Sequence, residues 1–208
     1  MEGLRVIAGT LKGRIIHKPK DLRVRPATHK TREAIFDILA ESVQGARVLD
    51  CFAGAGSYGI EAISRGAAHA TFVEINRDTA ACLNRTITEL NIAGRTTVHT
   101  GDIRIHLRKM ARDGLRPDLV FLDPPFIEHY FRMLLENPHL ACVLAPGALA
   151  VLEYPRPLEQ VILPLAAARG YQVQDLRSYG QVGVAFMGRL KEPPPPPLYP
   201  SSRKEPDP

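Results

Sequence analysis

The clearest indication of the fold is the segment Arg47-Val48-Leu49-Asp50-Cys51-Phe52-Ala53-Gly54-Ala55-Gly56-Ser57-Tyr58-Gly59. It begins with a short apolar run that is typical of a buried strand, and a glycine-rich turn follows. Gly54 and Gly56 let the backbone approach a ligand closely, and Gly59 lets the next helix pack against the strand. The stretch therefore predicts a strand–turn–helix unit with a ligand beside its turn.

The same alternation of strand and helix repeats along the chain. Further strands are predicted near residues 70–74, 97–99, 119–122 and 148–153, with helical patterns between the early ones. Two more, about 171–177 and 181–188, are close enough for a hairpin. Repeated βα units predict an α/β fold: a doubly wound, mostly parallel, seven-stranded sheet with an antiparallel C-terminal hairpin.

The two ends of the chain differ from this central part. Residues 4–8 and 13–17 predict a small β-hairpin, and Thr28 is a suitable N-cap for a helix over about residues 29–41. Eight of residues 192–208 are proline, a composition that cannot pack a core. We predict a basic arm at 1–28, a main domain at 29–190 and a disordered proline-rich tail, without an assigned role, at 191–208.

Positive charge is concentrated at the N-terminus. Residues 1–32 hold nine Lys or Arg and two acidic residues, a net charge of +7, although the whole chain carries +5. This asymmetry favours a polyanionic partner. Charge alone leaves nucleic-acid binding and an ordinary solvated arm as equal alternatives.

Composition limits the class of protein and its location. Hydrophobic residues make up 45% and charged residues 24%, which is typical of a globular domain. No apolar run is long enough to span a membrane, and no apolar segment near Met1 resembles a secretory signal. Three cysteines lack a C-x-x-C pair and seven histidines lack metal-site spacing. We therefore expect buried cysteines, no metal and a cytoplasmic location.

Acidic residues close four of the predicted βα units: Asp50, Glu74, Asp102 and Asp123. Ligands of open parallel sheets bind beyond the carboxyl ends of the strands, so these acids would converge on one crevice. Asp50 suits a cationic group, such as the methionine ammonium of S-adenosylmethionine, and would repel the pyrophosphate of NAD. Glu74 can accept from two ribose hydroxyls, and Asp102 either accepts from the adenine amine or caps a helix.

Asp123-Pro124-Pro125-Phe126 follows the strand at 119–122. A carboxylate and a proline-constrained carbonyl can both accept from one exocyclic amine, and Phe126 can stack on a base. These hydrogen bonds would direct the nitrogen lone pair toward a methyl donor, so catalysis would be mainly positioning. The motif predicts an amine methyltransferase, with a plain turn as the structural alternative.

Together these features resemble the class I methyltransferases, which have a Rossmann-like fold, and among them the RsmD family, which methylates guanine N2 in 16S ribosomal RNA. The resemblance runs from about residue 4 to residue 188. Its most specific segments are Arg5-Val6-Ile7-Ala8-Gly9, Lys12-Gly13-Arg14, Arg25-Pro26, Arg32-Glu33-Ala34-Ile35-Phe36, Gly59-Ile60-Glu61-Ala62, Ser64-Arg65-Gly66-Ala67 and Tyr179-Gly180-Gln181. It implies S-adenosylmethionine as cofactor and, as partner of a monomer, 16S RNA or the assembled small ribosomal subunit.

The resemblance also implies roles for individual residues. The cofactor would be held by Asp50, Phe52, Gly54, Gly56, Glu74 and Asp102. The target guanine would be held by Asp123, Pro124, Pro125 and Phe126, and RNA phosphates by Arg5, Lys12, Arg14, Arg25 and Arg32. The family usually reads Arg-Pro-Thr-x-Asp, whereas Ala27 and His29 stand in the threonine and acid positions here. A solvated or capping role for His29 outweighs that of a catalytic base.

Two other functions remain open from the sequence. A DNA adenine- or cytosine-N methyltransferase could share Asp-Pro-Pro-Phe, but it usually needs a target-recognition domain that 208 residues do not accommodate. A non-catalytic RNA-binding assembly factor could keep the fold, although the intact residues Asp123 to Phe126 argue against it.

Overall fold

The computed structural model describes residues 4–19, 28–144 and 147–189. Its strands are β1 (Leu4–Arg5), β2 (Ile15–Ile16), β3 (Arg47–Asp50), β4 (His69–Glu74), β5 (Thr96–Thr100), β6 (Leu119–Leu122), β7 (Leu149–Pro155), β8 (Tyr171–Tyr179) and β9 (Val182–Arg189). Its α-helices are α1 (Thr28–Leu39), α2 (Ser57–Ser64), α3 (Arg77–Glu89), α4 (Ile103–Arg112), α5 (Glu128–Leu135), α6 (Pro138–Val143) and α7 (Glu159–Ala168).

Seven strands form one sheet in the order β5-β4-β3-β6-β7-β9-β8. The first five pair in parallel, and β9 runs antiparallel to both β7 and β8. This topology confirms the predicted doubly wound sheet with an antiparallel C-terminal hairpin. β1 and β2 pair separately as the small N-terminal hairpin that was predicted.

The core has one layer on each face of the sheet. Helices α1, α2 and α3 cover one face, and α4, α5, α6 and α7 cover the other. Adjacent strand residues alternate between the two layers, as Val48 and Leu49 do on β3. Strands buried on both faces are continuously apolar, which is why the runs at β3 and β6 were recognisable in the sequence.

Some local expectations need correction. α1 begins at Thr28 itself and ends at Leu39, so Thr28 is the first helical residue and not the cap before it. Cys51 and Cys82 are buried as expected, but Cys142 is exposed on the short helix α6. Arg25, Ala27 and the proline-rich tail lie outside the described residues. In the part of the chain that the structure describes, no helix has the length and apolar composition needed to cross a membrane.

Candidate active site

The carboxyl edge of the sheet brings the four predicted acids into one row. β3 lies between β4 and β6, with Asp50 in register with both Phe72 and Phe121. Glu74 ends β4, Asp102 follows β5, and Asp123 follows β6 directly. The strand order therefore places the acids across this edge in the order Asp102, Glu74, Asp50 and Asp123.

A cavity of about 300 Å³ opens beside this row. Of the residues predicted to form the site, it is lined by Phe52, Glu74, Asp102 and Pro125. The rest of its wall is formed by Cys51, Val73, Ile75, Gly101, Ile103, Arg104, Ile127, His129, Tyr130 and Met133. Two carboxylates in a mostly apolar wall are typical of a pocket for a small molecule with a few polar groups.

Glu74 holds the glycine-rich turn in place. Its Oε2 atom accepts from the Gly54 N–H at 2.8 Å, and its Oε1 atom accepts from the Asn76 N–H at 2.8 Å. A carboxylate has about four acceptor positions, so each oxygen retains capacity for one more donor. Glu74 can therefore order the loop and still accept hydroxyl donors from a ligand in the cavity.

Asp102 combines the two roles that the sequence left open. Its Oδ1 atom accepts from the Arg104 N–H at 2.8 Å, so the side chain caps α4, and the residue also lines the cavity. The Arg104 guanidinium lies 2.5 Å from Oδ2, and this hydrogen bond lowers the pKa of Asp102. Asp102 is thus held ionised at the cavity wall.

Asp50 is buried and does not line the cavity, although the next residue, Cys51, does. Its Oδ2 atom accepts from the Gly59 N–H at 3.1 Å, at the start of α2. Burial raises the pKa of Asp50 to about 7; the bond from Gly59 opposes the shift, and the charges of Asp123 and Glu74 add to it. In this conformation Asp50 organises the turn from below, and its predicted contact with a cofactor ammonium stays a prediction.

The glycines of the turn serve packing as well as ligand access. A Cβ atom at Gly59 would lie 2.2 Å from the Phe72 ring, which confirms that this glycine lets α2 approach the sheet. Gly56 has a φ of +81° and precedes α2, and a Cβ there would lie 2.4 Å from Leu83. Gly56 therefore faces the core between α2 and α3, whereas Gly54 is the glycine that contacts Glu74.

The Asp123-Pro124-Pro125-Phe126 segment leaves β6 as a non-helical loop before α5. Pro124 is buried, whereas Pro125 is exposed and lines the cavity. The Pro125 carbonyl accepts from the Ile127 N–H at 2.7 Å in a tight turn. Phe126 is half-buried, and its ring centroid lies 6.4 Å from that of Phe131 on α5. The C-terminal half of the loop is thus held in place next to the cavity.

The N-terminal hairpin is attached to α2 through a buried carboxylate. Glu61 is fully buried and accepts from the backbone N–H groups of Ile7 and Ala8, at 2.7 and 3.0 Å. Ser64 accepts from the Leu11 N–H at 2.9 Å and donates to the Ala8 carbonyl at 2.5 Å. Two segments that carry the resemblance described above, about 50 residues apart in the sequence, therefore contact each other here.

Arg32 differs from the other residues predicted to contact RNA. Arg5, Lys12 and Arg14 are exposed on the hairpin, but the Arg32 side chain is fully buried. Its Nη2 atom donates to the Arg5 carbonyl at 2.6 Å, and its Nε atom lies 3.9 Å from Glu61. Burial lowers the pKa of this guanidinium, which the Glu61 charge opposes. An RNA phosphate cannot reach the buried Arg32 side chain. The predicted RNA contact of Arg32 is therefore wrong, and its role is to hold the backbone of the hairpin at Arg5.

Sequence reasoning missed the far wall of the cavity. Ile127, Tyr130 and Met133 belong to α5 or to the turn before it, and no helix was predicted there. The signal was present as apolar residues at 130, 131, 134 and 135, but eight residues give too short a pattern to identify. Ile75 was also missed, although it directly follows Glu74 and is exposed at the cavity.

S-adenosylmethionine fits the residues around this cavity. The volume lies at the lower end of the range for small-molecule sites, about 300–1,000 Å³. Glu74 can accept from ribose hydroxyls, and Asp102 can accept from an amine. Phe52, Ile75 and Ile103 provide apolar surface for a planar base.

Comparisons with known proteins agree with this architecture. The family described as conserved hypothetical protein 95 matches residues 4–188. The ribosomal RNA small subunit methyltransferase D of Buchnera aphidicola is 40% identical over 64% of this chain and 69% of that protein. The solved structure of Escherichia coli yhhF is 32% identical, with a TM-score of 0.74 over 90% of this chain and 98% of its own.

A more distant structure supports the fold alone. SMU.776, solved in complex with SAH, is 13% identical and has a TM-score of 0.64 over 79% of this chain and 50% of its own.

The family model matches residues 4–188, which include the hairpin, the glycine-rich turn, the row of acids and the loop after β6. The chain therefore belongs to the conserved hypothetical protein 95 family, the RsmD family of S-adenosylmethionine-dependent methyltransferases.

Proposed function

We propose that this protein transfers a methyl group from S-adenosylmethionine to the exocyclic N2 of a guanine in 16S ribosomal RNA. The observation that carries the proposal is the Asp123-Pro124-Pro125-Phe126 loop beside the cavity that Glu74 and Asp102 line. S-adenosylmethionine, when bound, would supply a sulfonium methyl group that an amine lone pair can attack, with the S–C bond breaking and S-adenosylhomocysteine as the leaving group. The name of the Buchnera relative supports ribosomal RNA as the substrate.

The loop's contribution is to position the guanine amine. The Asp123 carboxylate and the Pro124 carbonyl are the two acceptors for its N–H groups, and prolines at 124 and 125 fix the backbone between them. Two acceptors on one amine leave the lone pair directed away from both. Phe126 supplies an aromatic face for the base, and its packing near Phe131 fixes that face in place.

Such positioning is sufficient because the amine needs no strong base before it attacks. Its proton becomes acidic only as the new N–C bond forms, and the Asp123 carboxylate, which accepts a hydrogen bond from the same amine, is the group that would take it. Holding two reactants in a near-attack geometry provides effective molarities of about 10⁵–10⁸ M in favourable systems. We therefore assign rate acceleration to the placement of the amine beside the cavity.

We assign contact with RNA phosphates to the exposed cationic side chains of the hairpin. Arg5 and Arg14 are ordered by bonds from their guanidinium groups to the Gly13 and Glu89 carbonyls, at 2.8 and 3.0 Å. Both keep other donors for phosphate oxygens, and Lys12 is exposed beside them. Phosphate contacts of this kind hold a nucleic acid in register without reading its sequence.

A substrate comparison tests the proposed function. Wild-type protein and labelled S-adenosylmethionine are incubated with 16S RNA and with small subunits from cells that lack the enzyme, and duplex DNA is the third substrate. We expect label in the RNA or the subunit, recovered as N2-methylguanine after digestion. Label in DNA alone would identify a DNA methyltransferase, and RNA binding without any label would identify an assembly factor.

A further inference from the structure

Helix α4 presents a concentrated positive charge. Within its ten residues it carries Arg104, Arg108, Lys109 and Arg112, and it contains no acidic residue. These four side chains are exposed, whereas Ile103, Leu107 and Met110 are buried against the sheet. The outer face of α4 is therefore basic along its whole length.

The arginines form a stripe that starts at the cavity. Arg104 lines the cavity wall, and Arg108 and Arg112 follow at intervals of four residues on the same side of the helix. At a rise of 1.5 Å per residue the stripe is about 12 Å long. It thus leads away from the place where the methyl group would be transferred.

Two of these cations form no ion pair within the described part of the chain, although the charge of Lys109 adds to the hydrogen bond from Arg112 in lowering the pKa of Asp113. Arg104 pairs with Asp102 and Arg112 pairs with Asp113. Among the residues that the structure describes, Arg108 and Lys109 form no ion pair with a carboxylate. Both line a surface groove with Ile105, Arg112 and His139 of α6, and that group contains no acidic residue.

This groove and the N-terminal hairpin lie on opposite faces of the sheet. The hairpin contacts α2 through Glu61 and α3 through Glu89, in the layer that covers one face. α4 belongs to the layer on the other face. The carboxyl edge, with its cavity and the Asp123 loop, lies between the two basic surfaces.

We propose that the α4 groove is a second phosphate-binding surface, so that one RNA crosses the carboxyl edge and contacts both faces. The inference rests on the proposed RNA substrate and extends its contacts beyond the hairpin. An RNA backbone is the occupant that fits because the stripe is continuous with the cavity and is almost entirely cationic. Ile105, which is 68% exposed, is the one large apolar side chain in the groove and offers a surface for a ribose or base.

Charge reversal on matched surfaces tests this inference. The test variant is Arg108→Glu with Lys109→Glu, and the control is Arg95→Glu with Arg116→Glu. The control residues are also exposed and produce the same change in net charge, but they precede β5 and β6 at the opposite edge of the sheet. Binding of full-length protein to 16S RNA is measured from about 50 to 200 mM salt, a range over which phosphate contacts weaken strongly.

We expect the test variant to bind RNA about 10- to 50-fold more weakly near 0.1 M salt, with a salt slope smaller by about 1.4–1.8, since each of the two lost phosphate contacts contributes about 0.7–0.9. The Arg108→Gln, Lys109→Gln variant should show a smaller loss, and the control should bind like wild type. S-adenosylmethionine affinity should be unchanged in all three variants. The KM for RNA should rise in the test variant while kcat is retained.

Two outcomes would overturn the inference. One is equal RNA binding by test and control variants while wild type methylates RNA normally. The other is a loss of binding to the assembled subunit with unchanged binding to naked RNA, which would assign the groove to a ribosomal protein. Failure of wild type itself to methylate any RNA would instead reject the proposed function, so the two failures are distinguishable.

Discussion

The Glu74 carboxylate at the end of β4 accepts a hydrogen bond of 2.8 Å from the backbone N–H of Gly54, in the turn that follows β3. This bond fixes the glycine-rich loop relative to the neighbouring strand. It also orients a carboxylate that lines the cavity. Loop geometry and ligand binding therefore depend on the same side chain.

Glu74→Ala should weaken S-adenosylmethionine binding about 10- to 100-fold. Hydrogen bonds to a charged group contribute about 1.5–3 kcal/mol, and the variant also releases the Gly54 N–H. Titration calorimetry with the cofactor measures the change. Glu136→Ala is the control, because Glu136 is an exposed carboxylate paired with Arg169 and does not line the cavity. Equal affinities of the two variants would contradict the role given to Glu74.

Gly9→Ala should detach the hairpin from α2. Gly9 has a φ of +80°, and a Cβ atom there would lie 1.9 Å from the Ser64 carbonyl oxygen. Gly13 has nearly the same φ, +79°, but open space around it, so Gly13→Ala reports backbone strain alone, about 1–2 kcal/mol. Urea unfolding should show a larger loss for Gly9→Ala, together with faster proteolysis of the hairpin. Identical behaviour of the two variants would argue against this docking.

Glu61→Gln should destabilise the protein by about 3–5 kcal/mol, because it removes the larger of the two acidic charges that act on the buried Arg32 guanidinium, Glu61 and Glu153, and also breaks the 2.8 Å ion pair of Glu61 with Arg65. Replacing both residues, Arg32→Met with Glu61→Gln, should recover part of that loss. The comparison is made by urea denaturation of the two single variants and the double variant. Strictly additive losses would indicate that the two charges do not interact.

The stability of the protein should depend on the ionisation of Asp50. A carboxyl whose pKa rises from about 4 in the unfolded chain to about 7 on folding binds a proton in the folded state over this pH range. The contribution of Asp50 to stability therefore falls as pH rises from about 4 to about 7 and is constant above that range. Asp50→Asn removes this dependence and can still accept from the Gly59 N–H.

Urea unfolding of wild type and Asp50→Asn across pH 4–8 measures the effect. We expect the variant to gain about 2–4 kcal/mol relative to wild type between the two ends of this range. Parallel stability curves would show that Asp50 titrates normally in the folded protein.

The sheet could be predicted because its signals are local. Continuous apolar runs such as Leu119–Leu122, each followed by a polar turn, identify buried parallel strands. The later helices could not be predicted in the same way. α5 and α6 have eight and six residues, and α7 contains Pro164, which is unfavourable inside a helix. Their helical state depends on packing against the sheet, which a local pattern does not encode.

The site residues could be predicted where an acidic residue directly follows a predicted strand. Glu74, Asp102 and the Asp123 loop follow strands, and parallel topology brings strand ends together. Arg32 was misassigned because a basic residue beside a basic arm indicates solvent exposure. Its burial depends on Glu61, which is 29 residues away and lies on another helix. A single glutamate inside the apolar helix α2 was the only sequence signal of that partner.

We propose that the loop after β6 positions guanine N2 of ribosomal RNA for methyl transfer from S-adenosylmethionine. The most direct test of this proposal is mass mapping of modified nucleosides in 16S RNA from cells lacking the enzyme, after incubation with wild type, Asp123→Ala or Asp175→Ala. Asp175 is paired with Arg177 on the edge strand β8, lines neither the cavity nor the α4 groove, and serves as the control. We predict one new N2-methylguanine with wild type and Asp175→Ala, and none with Asp123→Ala despite retained RNA binding. The same modification in all three reactions, or in none, would contradict the account.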